Sequence, residues 1–240
     1  GSFLGSLSTL HPSEYGSVVV KNILEETKIP VAEIDEVVVG NILPAGLGQG
    51  VGRQVSIKAG IPVEVPAYGI NMVCGSGMKT LMTAYANIKA GLQHMVIAGG
   101  VEGMSMAPFI SPQKVRNGIK MGGYQVTDHM IADALTDAFN DVHMGITAEN
   151  IVERFGFTRE QQDEFSFDSQ QKAIAAVDAG KFKEEIVPIH VKLRREEFDF
   201  YTDEYPNRRT NLEKLAKLRP AFKKDGSVTA GNSSGINDGA

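Results

Sequence analysis

Ile70-Asn-Met-Val-Cys74-Gly-Ser-Gly-Met-Lys79 is the stretch on which the reading of this chain turns. Val65 to Val73 before it is a strand-like apolar run, and a helical pattern follows it to about Ala90. Cys74, the one cysteine among 240 residues, falls at the junction. Gly75 and Gly77 flank Ser76 there and predict a tight turn with unusual backbone angles and close chain approach. A thiol at a helix N-terminus meets unpaired N–H groups and the positive end of the helix dipole. A thiolate is favoured in that position and is a good nucleophile. A lone free cysteine also reads as a small buried hydrophobe. The spacing by itself does not choose between the two.

Working outward, the chain alternates strand and helix signals. Pro12 opens a helix with Tyr15, Val18, Val19, Ile23 and Leu24 at helical spacing to about Lys28. Val37-Val-Val39 with Ile42-Leu43 reads as a buried strand. Gly46 to Gly52 is glycine-rich but lacks the Lys-Ser/Thr of a phosphate-binding loop, and reads as a plain loop. Gln54 to Ala59 is a short helix. After the Cys74 junction, Met78, Leu81, Met82, Tyr85 and Ile88 form an apolar stripe, and Met95 to Gly100 is the next strand. This alternation predicts a parallel sheet with right-handed crossovers. Met104 to Gly145 carries five methionines and is long for a connection, which suits a functional segment or ordinary core filling. Ala148 to Phe155 is a helix, and the capping box Thr158-Arg-Glu-Gln161 starts another to about Ala179. Ile186 to Lys192 is an edge strand, Arg194 to Thr210 an exposed charged stretch, and Asn211 to Lys217 a short helix.

Composition narrows the function classes. The net charge of −5 and the absence of Trp argue against a nucleic-acid surface. A single cysteine excludes an internal disulfide and a Cys-rich metal site, and fits a reducing, cytoplasmic location. No run approaches the ~20 apolar residues of a membrane span. The apolar fraction of 42% is ample for a core.

Five blocks then occur together: Asn71 to Lys79, Ala98-Gly-Gly-Val-Glu-Gly-Met-Ser-Met-Ala-Pro108, Asp137 to Asn150, Leu218-Arg-Pro-Ala-Phe222 and Thr229 to Ala240. In order and spacing they resemble the thiolase family, most nearly its biosynthetic acetyl-CoA acetyltransferase branch. The resemblance covers essentially the whole chain. It implies an α/β fold: a thiolase-like layered α/β/α half, with a mixed, mostly parallel sheet, plus an inserted loop domain. The expected divisions are a core at 1–104, a loop domain at 105–225 and a return to the core at 226–240. The resemblance further implies a strand upstream and a second half downstream. That half carries an Asn-Glu-Ala-Phe segment, a Gly-His-Pro histidine and a Cys-Gly-Gly cysteine, none of which occurs here.

By the same resemblance, Cys74 attacks an acyl-CoA thioester and its N–H forms part of an oxyanion hole. His143 lies at the pantetheine end of the coenzyme A site; read alone it is a helix-capping residue. Leu135, Met144, Phe222, Ala230 and Ser234 match positions that line the coenzyme A tunnel. Arg208, in the pair Arg208-Arg209, is the candidate for the phosphates, although the family's arginine falls where this chain has Asn207. No cofactor is implied beyond coenzyme A thioesters as substrates, here acetyl-CoA and acetoacetyl-CoA. Arg116 to Tyr124 matches a tetramerisation hairpin, so a homodimer or homotetramer is expected. These 240 residues alone are expected to be inactive. A degradative 3-ketoacyl-CoA thiolase and a non-catalytic acyl-CoA-binding module stay open.

Overall fold

The structure is a computed structural model that describes residues 1–240. In chain order the elements are α1 (Pro12–Thr27), β1 (Glu36–Gly40), α2 (Val51–Lys58), β2 (Ala67–Ile70), α3 (Ser76–Lys89), β3 (Val96–Gly100), β4 (Glu102–Gly103), β5 (Phe109–Ile110), β6 (Thr127–Asp128), β7 (Thr136–Asp137), β8 (Val142–His143), α4 (Met144–Phe155), α5 (Arg159–Asp178), β9 (Ile189–Lys192), β10 (Glu197–Phe200), α6 (Leu212–Ala216) and β11 (Asp238–Gly239). They fall into two compact units. The first comprises Gly1–Met130, Val187–Tyr201 and Asn237–Ala240, and the second Ile131–Ile186 and Thr202–Ile236.

In the first unit, β2, β1 and β3 form a parallel sheet in that order. Every residue of β1 is buried, as expected of a central parallel strand covered on both faces, and this is why it reads as an unbroken apolar run. Val37 and Val39 join Tyr15 and Val20 of α1 and Val51 and Val55 of α2 in the core. His11 caps α1 by accepting from the Ser13 N–H, with Pro12 at the first helical position. Helix α3 lies on the sheet through small residues: Ser76, Thr80 and Ala84 are its buried positions. The Thr80 hydroxyl donates to Gly99 O at 3.0 Å, fastening α3 to β3. The first turn of α3 comes so close to the end of β1 that a Cβ on Gly40 would lie 2.8 Å from the Ser76 carbonyl carbon and 2.9 Å from Gly77 N.

The apolar stripe of α3 points the other way. Met78, Leu81, Met82, Tyr85 and Ile88 are all exposed. Contiguous apolar surface of this kind marks an interaction face.

Several element limits differ from those expected. The strand expected to reach Val73 ends at Ile70, because Asn71 turns the chain: its Oδ1 accepts the Val73 N–H. Helix α2 starts at Val51 rather than Gln54, and α4 at Met144 rather than Ala148. The charged stretch Arg194 to Thr210 contains β10, which pairs antiparallel with β9. There Phe198 and Phe200 alternate with Glu197 and Asp199, and both rings pack on the core that holds Ile189 and Val191. The unit boundary does not fall at 104/105. Strands β5 and β6 pair with each other and belong to the first unit, and β9 contributes to its core.

The second unit is built on α4 and α5. The Thr158 capping box is present, with side-chain and main-chain bonds exchanged between Thr158 and Gln161. Helix α6, capped by Asn211, packs against α5. Met130–Leu135 is a π-helical turn that no sequence signal announces.

Two outcomes are expected. Gly40→Ala should lower stability by about 1–3 kcal/mol, because the added methyl meets main chain that cannot move aside; denaturant titration reads it. On the β9–β10 hairpin, hydrogen bonds from the His190 ring to Glu197 and then Asp199 raise its pKa above the usual histidine value. The clasp is complete below pH ~6.5 and loosens as pH rises through the raised value. An NMR titration of the imidazole in the wild type and in Glu197→Gln should show the midpoint fall in the variant.

Candidate active site

Cys74 sits one residue before Gly75, the N-cap of α3, and its side chain is exposed. The turn that presents it is clamped from two sides. On one side the Asn71 side chain accepts from Val73 N–H at 3.0 Å and donates to Ile42 O at 3.3 Å. On the other, Ser76 Oγ donates to Val73 O at 2.6 Å and accepts from Met72 N–H at 2.9 Å. Gly75 and Ser76 direct their N–H groups back to Met72 O and Val73 O. The unusual backbone angle lies at neither glycine. Gly75 has φ −85° and a Cβ on Gly77 would meet nothing within 4 Å, whereas Val73 has φ +46°. A β-branched residue in the left-handed region costs on the order of 1–3 kcal/mol and persists only where its surroundings impose it. The strain therefore sits on the residue immediately before the thiol.

The remaining candidate residues lie in the second unit, and each can be placed there. His143 ends β8 and caps α4, its Nδ1 accepting from Gly145 N–H at 3.0 Å. With Nδ1 spent as an acceptor, a neutral His143 presents Nε2–H as a donor. The Phe222 ring stacks on the imidazole, centroids 4.8 Å apart and planes 19° off parallel. That stack requires Gly145, since a Cβ there would lie 2.0 Å from the Phe222 ring. Met144 is exposed at the start of α4, and Leu135 is half-buried at the end of the π turn.

The segment carrying Phe222, Ala230 and Ser234 is held by buried carboxylates. Glu149 accepts from Ser227 N–H at 2.9 Å and Val228 N–H at 2.8 Å. Asp163 accepts from Asn232 Nδ2 at 3.0 Å and Arg159 Nε at 2.8 Å, and Arg159 also donates to Leu215 O. Ala230 lines a cavity of about 560 Å³ with Gln170, Tyr205, Asn207, Arg209 and Gly231. Ser234 is exposed and outside that lining.

Arg208 is committed elsewhere. Its guanidinium forks onto Asp178 at 2.8 and 2.5 Å, and that bond holds the Asp178 carboxyl below the usual range. Of the arginine pair, Arg209 is the one at the cavity. The sequence could not separate the two, because the choice depends on α5 bringing Asp178 beside one of them. Asn71 braces the Cys74 turn directly, and Glu102 binds the Asn41–Leu43 stretch to which Asn71 donates; both lie within motif blocks, and neither role is legible there. No group of three or more His, Cys, Asp or Glu is arranged to hold a metal ion, and no helix is long and apolar enough to cross a membrane.

His143→Ala should lower stability by about 1 kcal/mol through the lost cap, and His143→Asn should restore most of it. Gly145→Ala should cost about 1–3 kcal/mol by displacing the Phe222 ring. Chemical denaturation reads all three.

The thiolase N-terminal domain family matches residues 1–240. An acetyl-CoA acetyltransferase of Pseudomonas aeruginosa is 52% identical over all of this chain, which spans 61% of that relative's length. A probable acetyl-CoA acyltransferase of Staphylococcus epidermidis is 51% identical, again over all of this chain and 61% of its own. The crystal structure of the Bacillus anthracis acetyl-CoA acetyltransferase superposes with a TM-score of 0.94 at 39% identity, over 99% of this chain and 60% of that one. The fold is that of the acyltransferase relatives, the matched family is the one whose motifs surround Cys74, and the chain belongs to the thiolase family through its N-terminal domain.

Proposed function

We propose that the protein is an acetyl-CoA C-acetyltransferase, interconverting two acetyl-CoA with acetoacetyl-CoA and free coenzyme A. The observation that carries this reading is the exposed Cys74 thiol on a braced, strained turn at the start of α3. The names of the relatives support the acetyl substrate.

In the first half-reaction the Cys74 thiolate attacks the acetyl-CoA carbonyl, a C–S bond forms to Cys74, and the C–S bond to coenzyme A breaks. The Cys74 N–H supplies one donor to the tetrahedral oxyanion, a contribution worth about 3 kcal/mol. In the second, another acetyl-CoA loses an α-proton to a base, and its carbanion attacks the acetyl-Cys74 carbonyl. The Cys74 thiolate then leaves. His143 is not that base in this reading: its Nδ1 is committed to the α4 cap, which suits a donor to a pantetheine amide. The Gly-His-Pro histidine and Cys-Gly-Gly cysteine that the family uses for proton transfer do not occur among these residues. Turnover is therefore expected only from a protein that contains them, and acetylation of Cys74 is the step to test.

Leu135, Met144 and Phe222 supply apolar walls for pantetheine, with Ala230 and Ser234 on the neighbouring loop. Arg209 replaces Arg208 as the cation for the phosphates, since it lines the 560 Å³ cavity while Arg208 is paired. The arm between β5 and β6, with Met121 and Tyr124 exposed, is the surface through which a homotetramer would assemble.

Incubation with acetyl-CoA followed by peptide mass spectrometry should place an acetyl group on Cys74. In Cys74→Ala the adduct should vanish and turnover of the intact enzyme should fall on the order of 10⁴-fold. A Cys74→Ala enzyme that still forms acetyl-CoA from acetoacetyl-CoA and coenzyme A at the wild-type rate ends the reading.

A further inference from the structure

Glu102 is the first residue of β4 and its carboxylate is surrounded by donors from the loop that follows β1. Oε2 accepts from Ile42 N–H at 2.7 Å; Oε1 accepts from Asn41 Nδ2 at 3.0 Å and Leu43 N–H at 3.2 Å. The same peptide stretch reaches the Cys74 turn, since Ile42 O accepts from Asn71 Nδ2 and Asn71 Oδ1 accepts from Val73 N–H. A continuous line of hydrogen bonds thus runs from Glu102 through Ile42 and Asn71 to the one residue with a strained backbone beside the thiol.

We propose that Glu102 is a positioning residue for Cys74, holding the Val73 turn in its left-handed conformation through Asn41–Leu43 and the Asn71 side chain.

Two further facts favour this over a plain loop brace. First, Glu102 is expensive. Burial is the largest influence on its carboxyl and pushes its pKa up, against the pull of the Ile42 and Leu43 N–H groups. The charges facing it are opposed: His129 favours ionisation, while Asp238 on β11 disfavours it. The Tyr15 hydroxyl of α1 approaches the same residue but donates to its main-chain oxygen, not to the carboxylate. A raised acid pKa means that the native state binds the proton more tightly than the unfolded chain does. Stability from this residue is then lost as pH rises through the raised value, so the ionised form is a net cost at neutral pH. Costly buried ions concentrate at functional sites. Second, strain such as φ +46° at Val73 needs an over-determined surrounding, and the Asn71 side chain is one of the two clamps on that turn, the Ser76 hydroxyl being the other.

The test uses Glu102→Gln, which keeps the shape but offers an NH₂ to donors on one side, and Asn71→Ala, which cuts the line at an exposed residue. Amide hydrogen exchange comes first because it needs no turnover. The Val73 amide should exchange about tenfold faster in each variant while β1 amides keep their protection. The kinetic arm rests on the proposed acetyl transfer. Acetylation of Cys74 by acetyl-CoA should slow roughly 10- to 100-fold in each variant. Alkylation by iodoacetamide, which needs an accessible thiolate and no alignment, should stay within about threefold. Because both substitutions cut one line, the double variant should be no slower than the worse single one. Unchanged Val73 exchange in Glu102→Gln, equal loss of protection at Val73 and β1, or multiplying effects in the double variant would each overturn the assignment. If the wild type takes up no acetyl group, the acetyltransferase reading falls while the exchange measurement still decides the role of Glu102.

Discussion

The first turn of α3 lies almost in van der Waals contact with the end of β1, and the rest of the site follows from that closeness. The approach is possible because Gly40 has no side chain and because α3 buries only Ser76, Thr80 and Ala84 toward the sheet. Between Asn71 and Ser76 the chain reverses with Val73 at positive φ. Cys74 is left pointing outward at the top of the element that the sheet holds most firmly. Rigid elements position reactive groups better than loops do, and here the rigidity comes from packing small residues close.

Carboxylates do much of the remaining tethering. Glu102 gathers the loop after β1. Asp238 accepts from Ser105 N–H and Ser105 Oγ, fixing β11 beside β4. In the second unit Glu149 and Asp163 hold the 227–232 segment in the same manner. In each case a carboxyl side chain accepts main-chain or amide N–H groups that irregular segments cannot pair among themselves. Within each unit such irregular segments are thus ordered without regular secondary structure.

Much of this was readable from residues alone, and the parts that were not share a cause. The α1 start at Pro12, the Thr158 capping box and the buried strand at Val37–Val39 are local: each depends on a few neighbouring residues, and each stands where it was expected. Strand β10 is not legible in the sequence because its alternation of acidic and aromatic residues spans only four positions inside a charged stretch, and only pairing with β9 makes it a strand. The glycines of the Cys74 junction predict an unusual backbone angle there, and the structure has it at Val73, where the Asn71 and Ser76 side chains hold the turn. Arg208 and Arg209 are adjacent and chemically alike; Asp178, thirty residues earlier on α5, selects which of them is paired.

The sequence by itself determined the alternation of strands and helices, the position of the single thiol at a strand-to-helix corner, and the family motifs around it. These are properties of periodicity, residue chemistry and order along the chain. Only the tertiary structure decided that the apolar stripe of α3 faces outward, that Glu102 gathers the loop after β1, and that the His143 ring stacks on Phe222. Those outcomes depend on which segments meet across long separations in sequence, and a local pattern carries no record of the partner it will meet.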